Sequence, residues 1–400
     1  MERFDAAGLA ERAGAEPDDL ERMVALGILA SPEDGDYGEA DIVRARLCLA
    51  CERAGLSLEH IAGAIEGGHL SLSFLDTGFM GAPAHGETTF AEACARAGVR
   101  LEFLQRAYEA LEFVRPEADV RVREDDRVVI DLCAAGIASG ISDEVALRGY
   151  RTYGENLRRI SESIQQLYHS NIELPLLASG MSETQMREIA TGASLLLRPL
   201  TDRLVMSVYQ RHLERYIIAD IVDHIESALE STGLHRRRAT DPPAMAFVDL
   251  AGYTRLTEER GDHAAAELAG AMSEVVRDTV THHGGRAVKW LGDGVMLHFP
   301  EPGPGVVACL ELVEALPGAG LPDGHAGVSA GPVVTQDGDF YGRTVNLAAR
   351  ISSKAGPGEV LVNEDVVTVA TAAGVSFEQL GSFELKGFAD PVVLHRAGRA

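Results

Sequence analysis

Four hundred residues, 46% hydrophobic, 24% charged and 6% aromatic, supply two or three packed domains, because a single core stops growing near ~250 residues; a disordered or fibrous chain is excluded. No run approaches the ~18 consecutive apolar residues of a membrane helix, and the opening MERFDAAGLAERAG is charged where a signal peptide has its apolar centre, so the expected location is the cytoplasm. Thirty-six basic against sixty-one acidic residues leave a net charge of -25, a field that repels nucleic acid and anionic lipid.

Segments 9–29 (LAERAGAEPDDLERMVALGIL), 41–56 (DIVRARLCLACERAGL) and 57–65 (SLEHIAGAI) read as short amphipathic helices separated by Gly, Pro and Asp turns. Cys48-x-x-Cys51 falls inside the second, without a further Cys pair or His cluster nearby. It therefore reads as core packing, as do Cys94, Cys133 and Cys309. A weak echo follows in 90–114 and 125–142, where Ala97-Gly98 and Leu104-Gln105-Arg106 repeat Ala13-Gly14 and Leu20-Glu21-Arg22. Helices over about 143–170 and 182–198 lead to a long one from Pro199 to Ser231, with proline in its first turn. Its apolar residues Leu204, Val205, Val208, Tyr209, Leu213, Ile217, Ile221, Ile225 and Leu229 recur every three to four positions and make an amphipathic rod. His212 and His224 lie on this rod, and Asp220 sits one turn before His224.

The segment LHRRRATDPPAM (234–245) marks the main boundary: helical text precedes it and alternating strands and helices follow. From Ala244 the order is strand (AMAFVDL), helix (262–282), strand (RAVKWLG), strand (GVMLHF), helix (304–316), strand (HAGVSAGPVV), helix (345–355) and strand (EVLVN). This is a ferredoxin-like βαββαβ plan with additions, so the fold class is α+β behind an all-α amino-terminal half. Asp249 closes one apolar strand, and Asp293 lies in the Gly292-Asp293-Gly294 turn of a hairpin. Carboxylates at neighbouring strand ends can share two Mg²⁺ or Mn²⁺ ions with nucleotide phosphates, since these cations take hard oxygen ligands and keep substrate oxygens in their shell.

The words FVDLAGYT, KWLGDGVM, GDFYGRTVNLAARI and ELKGF, in that order, resemble the catalytic domain of class III adenylate cyclases over about residues 243–397. The amino-terminal half resembles the helical autoinhibitory domains of acid-sensitive actinobacterial cyclases. Residues 6–65 resemble the winged-helix module of MerR-type regulators. That module needs a basic recognition surface to hold DNA, whereas residues 1–75 set six arginines against fifteen acids. The module therefore reads as a packing and signalling element. The organisation expected is a MerR-like module at 1–75, a helical regulatory domain at 76–198, a signalling helix and linker at 199–243, and a cyclase catalytic domain at 244–400.

The resemblance implies metal ligation by Asp249 and Asp293 with the Leu250 carbonyl, and phosphate contacts from the turn containing Gly252, Tyr253 and Thr254. It implies that Lys289 and Asp339 read adenine, with an ammonium donating to N1 and a carboxylate accepting from the N6 amino group. Guanine reverses both edges, so ATP is favoured over GTP. Asn346 would orient the ribose, Arg350 would pair with the α-phosphate, and Lys386 would reach the triphosphate. The reaction implied is conversion of ATP to 3′,5′-cyclic AMP and pyrophosphate, a phosphorus-oxygen lyase step, at two sites shared across a homodimer. His212 and His224 suggest acid-dependent regulation, with the basic run His235 to Arg238 gripping the acidic regulatory domain. Two other readings stand beside this one: a ligand-responsive transcription regulator and a non-catalytic ATP sensor. A diguanylate cyclase is disfavoured, because WLGDGVM stands where a GG(D/E)EF-type hairpin would be.

Overall fold

Asp5 opens the first helix by accepting the Gly8 amide at 2.7 Å, and Gly14, at φ 65°, closes it in the left-handed region that glycine adopts without penalty. The structure is a computed structural model that describes residues 3–30, 37–77, 85–232, 242–370 and 374–400. It divides into two compact units, Met1–Ala219 and Asp220–Ala400.

The first unit begins with α1 (Ala6–Ala13), α2 (Pro17–Ala25), α3 (Glu39–Arg53) and α4 (Leu58–Glu66), packed on Leu9, Met23, Leu29, Ile42, Cys48 and Leu58. A single bridge between Phe4 and Tyr37 ties the ends of the α1–α2 pair. The expected wing lies largely in 31–36, outside the described residues. The same order then recurs as β1 (His85–Thr89), α5 (Phe90–Ala97), α6 (Leu101–Ala110), β2 (Arg121–Arg123) and α7 (Arg127–Ala138). Gly98 closes α5 at φ 69° as Gly14 closes α1, and β1 pairs with β2 around the second helix pair. The echo in the sequence is thus matched by an echo in element order. Among its described residues, the half expected to be all-α has β-structure only in this short strand pair and the Phe4–Tyr37 bridge. Burial raises the Cys48 thiol to about 11, as befits a core position, and the cysteines are free.

After α8 (Asp143–Tyr168) and α9 (Leu174–Ala178), the two helices expected on either side of Pro199 are one: α10 runs unbroken from Glu183 to Ser231. Proline removes one amide donor and crowds the carbonyl four residues earlier. Leu195, Leu196, Leu197, Arg198 and Leu200 around it are strong helix formers, and 49 residues of helix absorb the single lost bond. No helix among the described residues is long and apolar enough to cross a membrane.

The second unit contains β3 (Ala244–Leu250), α11 (Tyr253–Arg260), α12 (Asp262–His282), β4 (Arg286–Leu291), β5 (Gly294–Phe299) and α13 (Pro302–Ala315). It continues with β6 (Gly324–Ala330), β7 (Val334–Gln336), β8 (Asp339–Tyr341), α14 (Arg343–Ser352), β9 (Val360–Asn363), α15 (Glu364–Ala370), β10 (Val375–Phe383) and β11 (Val392–Arg399). The seven-stranded sheet has the order β10-β11-β9-β6-β3-β5-β4. Its antiparallel stretch β6-β3-β5-β4 is the ferredoxin-like plan read from the sequence, β9 joins parallel to β6, and the β10–β11 hairpin extends that edge.

Two boundaries differ from expectation. The HAGVSAGPVV run is not one strand: Gly331-Pro332 ends β6, and β7 pairs with β8 in a separate hairpin whose turn is Asp337-Gly338, both at positive φ. The turn after β3 opens α11, which Gly261 at φ 81° separates from α12.

Met272, Val276, Val280, Val306, Cys309 and Leu312 fill one face of the sheet against Ala246, Val248, Leu297 and Val328. Helix α14 covers the other face. It comes so close that a Cβ on Gly327 of β6 would lie 2.0 Å from the Ser352 amide nitrogen. Glycine there sets the depth at which α14 sits, and with it the position of every side chain on its outer face.

Candidate active site

Asp249 is the penultimate residue of β3 and stands opposite Gly294 on one side and His325 on the other. Its carboxylate lies over Gly294, where a Cβ would fall 1.8 Å from Oδ1, so only glycine leaves room for it. Asp293 occupies the two-residue turn Gly292-Asp293, with Gly292 at φ 74°, and its carbonyl accepts the Leu250 amide at 3.3 Å. The two acids are thereby held at adjacent strand ends, as the sequence predicts. Burial, opposed by His325 and reinforced by the Asp293 charge, raises the Asp249 carboxyl above its ordinary range. Ser352, the last residue of α14, donates its hydroxyl to Asp249 Oδ2 at 3.4 Å. Sequence reading missed this contact, since nothing in ARISS marks one serine as reaching back to β3.

Leu250 is buried. The Ala251 amide is committed to the Asp323 carbonyl at 2.8 Å, so it is not among the donors that open α11. Gly252 adopts φ 73° and is exposed. The Tyr253 side chain turns into the fold, where its hydroxyl donates to the Ala265 carbonyl at 3.1 Å; any phosphate contact from this residue would come from its backbone. The Thr254 side chain lies outside the described residues.

Lys289 and Asp339, fifty residues apart, meet: Nζ donates to Oδ2 at 3.2 Å. An irregularity in the β4–β5 pairing between Ala287 and Lys289 sets the lysine's register. Asp339 leads β8 rather than lying in a turn, and its Oδ1 accepts the Phe340 amide at 2.8 Å. An exposed ion pair of this kind is worth roughly 0–1 kcal/mol, so a base can part it at small cost.

Asn346 and Arg350 are exposed one turn apart on α14, whose intervening residues Leu347 and Ala348 are buried. They line one surface cleft of about 680 Å³ together with Lys386 and Asp390 from the β10–β11 loop. Arg343 forms another wall of this cleft, with its guanidinium 5.1 Å from the centre of the Phe388 ring. The predicted residues thus assemble into three groups: Asp249 with Asp293, Lys289 with Asp339, and Asn346 with Arg350 and Lys386. His224, on α10, donates from Nδ1 to the Asp220 carbonyl at 2.7 Å, and the same nitrogen lies 3.5 Å from the Asp220 carboxylate. His212 is exposed on the same helix. The run His235 to Arg238 lies outside the described residues.

Comparison with known proteins bears on the family of the chain. The family described as "Adenylate cyclase regulatory domain" matches residues 33–216, and "Adenylate and Guanylate cyclase catalytic domain" matches residues 324–396. The second match spans Asp339, Asn346, Arg350 and Lys386, while Asp249, Lys289 and Asp293 precede it. An adenylate cyclase of Streptomyces coelicolor is 30% identical over 275 residues, 68% of each chain. A pH-sensitive adenylate cyclase of Mycobacterium tuberculosis is 29% identical over 313 residues, 76% of each chain. The crystal structure of the adenylyl cyclase CyaB from P. aeruginosa is 21% identical, with a TM-score of 0.37 over 40% of this chain and 95% of that one. With such identity over two thirds of both chains, and a regulatory match ahead of a catalytic one, the chain belongs to the adenylate cyclase family.

Proposed function

We propose that the enzyme converts ATP to 3′,5′-cyclic AMP and pyrophosphate at two equivalent sites, each built from two copies of the chain. The observation that carries the choice of base is the Lys289–Asp339 pair. Both groups leave a weak mutual contact for adenine, the ammonium donating to N1 and the carboxylate accepting from the N6 amino group. With guanine, donor would meet donor and acceptor would meet acceptor.

The oxygen donors at the end of β3 suit a hard divalent cation such as Mg²⁺ or Mn²⁺. Asp249 and Asp293 are close enough for one charge to disfavour the other, and the half-buried Asp249 is met by the Ser352 hydroxyl and only partly offset by His325 across the β3–β6 ladder. Asp249, Asp293 and the Leu250 carbonyl would hold two such ions, which supply charge neutralisation of the triphosphate and acidification of the ribose 3′-hydroxyl. The chain's own groups do the rest. Asn346 orients the ribose so that its 3′-oxygen lies in line with the α-phosphorus. The 3′-hydroxyl gives up its proton to solvent, the new O–P bond forms as the bond from the α-phosphorus to the bridging oxygen breaks, and pyrophosphate leaves with Lys386 against its charge. Arg350 stabilises the charge gathering on the α-phosphoryl oxygens.

A second copy is favoured by the surroundings of the base pair. Trp290, Leu291, Val334 and Tyr341 beside Lys289 and Asp339 are 41%, 45%, 60% and 50% exposed, an apolar patch that a partner would cover. To test the base assignment, the double variant Lys289→Glu/Asp339→Ser should lose about a hundredfold in kcat/KM for ATP, roughly 2.7 kcal/mol, with a slight gain for GTP. Unchanged preference, measured as cyclic AMP against cyclic GMP product, would mean that adenine is read elsewhere.

Regulation by acid is supported by α10. The Asp220 carbonyl, and then the Asp220 carboxylate, raise the pKa of His224 above its ordinary value. The sign follows: the charged ring with its helix contacts is fully present below the ordinary histidine pKa, near ~6.5, and is lost as pH rises through the raised folded value. The group is fully exposed, so its effect is on helix contacts rather than on global stability. Cyclic AMP synthesis by the full chain should rise as pH falls from 8 to 5.5, and the His212→Ala/His224→Ala variant and residues 240–400 should each flatten that rise. Identical profiles for the three proteins would remove these histidines from regulation.

A further inference from the structure

The hairpin that carries Asp339 is not part of the main sheet. Strand β8 pairs with β7 in a two-stranded sheet of its own, so side chains must fix it relative to β4, where Lys289 stands. One side chain is placed to do so. Phe340, next to Asp339, is 6% exposed and enters a small cluster with Met245, Met296, Val345 and Ala348. Its ring lies flat on the imidazole of His298 in β5, with centroids 4.4 Å apart and planes 4° from parallel. The Arg286 guanidinium of β4 is 5.2 Å from the same ring centre.

We propose that His298 and Phe340 are positioning residues for base selection: their stack holds β8 at a fixed offset from β4 and so sets where the Asp339 carboxylate meets the base. The proposal rests on the assignment of Lys289 and Asp339 to adenine, and it adds the residues that make the pair rigid. The linkage is short. Asp339 Oδ1 accepts the Phe340 amide while Oδ2 faces Lys289, so displacement of the Phe340 ring moves the backbone to which the carboxylate is bound. Burial, and then the Arg286 charge, lower His298 to about 4, so the imidazole is neutral at working pH. A neutral ring stacks flat on phenylalanine and leaves the aromatic ring's other electrostatic partner, Arg286, unopposed. Histidine thus fills a half-buried site with a flat surface and no charge.

The test measures kcat and KM for ATP and for GTP with the full-length chain. In His298→Leu and in Phe340→Leu the ATP-to-GTP ratio of kcat/KM should fall at least about threefold, chiefly through a higher KM for ATP, because a carboxylate set loose loses base discrimination before chemistry. His298→Phe, which restores a flat neutral ring, should keep the ratio within about threefold of the parent. The half-exposed His298 site carries the test if Phe340→Leu melts early. A smaller change in His298→Leu, an equal loss for both nucleotides, or a loss in His298→Phe matching that of His298→Leu would each overturn the positioning role. Asp339→Ser separates the two levels. If it lowers the ratio while the leucine variants do not, positioning alone fails; if it leaves the ratio unchanged, the adenine assignment fails with it.

Discussion

Alanine at Asp249 or at Asp293 is expected to remove more than nine-tenths of cyclic AMP synthesis while leaving the fold intact. Each carboxylate would neutralise triphosphate charge through a bound cation, and a tenfold loss corresponds to only about 1.4 kcal/mol of transition-state stabilisation. The structure adds a condition that separates this from damage to the protein. The Asp249 backbone is held by ladder pairing on both sides, to β5 and to β6, and alanine keeps it. The folded state raises the Asp249 carboxyl pKa, chiefly by burial, so its ionised form costs stability at neutral pH and its removal relieves that cost. Asp249→Ala should therefore melt within about 2 °C of the parent or above it, as expected when a disfavoured charge is deleted. Calorimetry beside a cyclic AMP assay decides the matter. More than a tenth of the activity retained would count against the metal assignment, and activity lost together with several degrees of melting temperature would mark a structural residue instead.

The sequence was most legible where local chemistry and long-range pairing point the same way. AMAFVDL has the apolar run of a central strand and is one, and the Gly292-Asp293 turn has the residues a tight hairpin requires, so the acids at both strand ends could be placed without coordinates. The three-residue strand β8 was not legible: a strand that short leaves no periodic signal, and QDGDFYG reads equally as a loop. Pro199 misled for the opposite reason. Its local preference for a first turn is real, but 49 residues of helix outweigh it. Partners brought together by the sheet stayed hidden as well. The Ser352 contact with Asp249 depends on how closely α14 approaches β6 at Gly327, and the His298–Phe340 stack depends on where a detached hairpin is pinned. Neither distance has a signature along the chain.

Mixing two inactive variants, Asp249→Ala and Arg350→Ala, should restore activity. If each site takes its carboxylates from one chain and its Asn346, Arg350 and base-reading pair from another, a heterodimer holds one site with both lesions and one with neither. At equal amounts and free exchange, half of the dimers are mixed and each has one of two sites intact, so recovery should reach about a quarter of parent activity. A site contained within one chain predicts none at any mixing ratio. The exposed face of α14 supports the shared arrangement: Asn346 and Arg350 point away from the sheet that buries Leu347 and Ala348, and the apolar residues around Lys289 and Asp339 are left uncovered in the single chain. Arg350→Ala is suited to this use because its parent side chain is exposed and its removal leaves the buried contacts of α14 in place. Subunit exchange must be followed separately, for instance by energy transfer between labelled chains. Exchange without recovered cyclic AMP would sink the shared site and return all of the catalytic groups to one protomer.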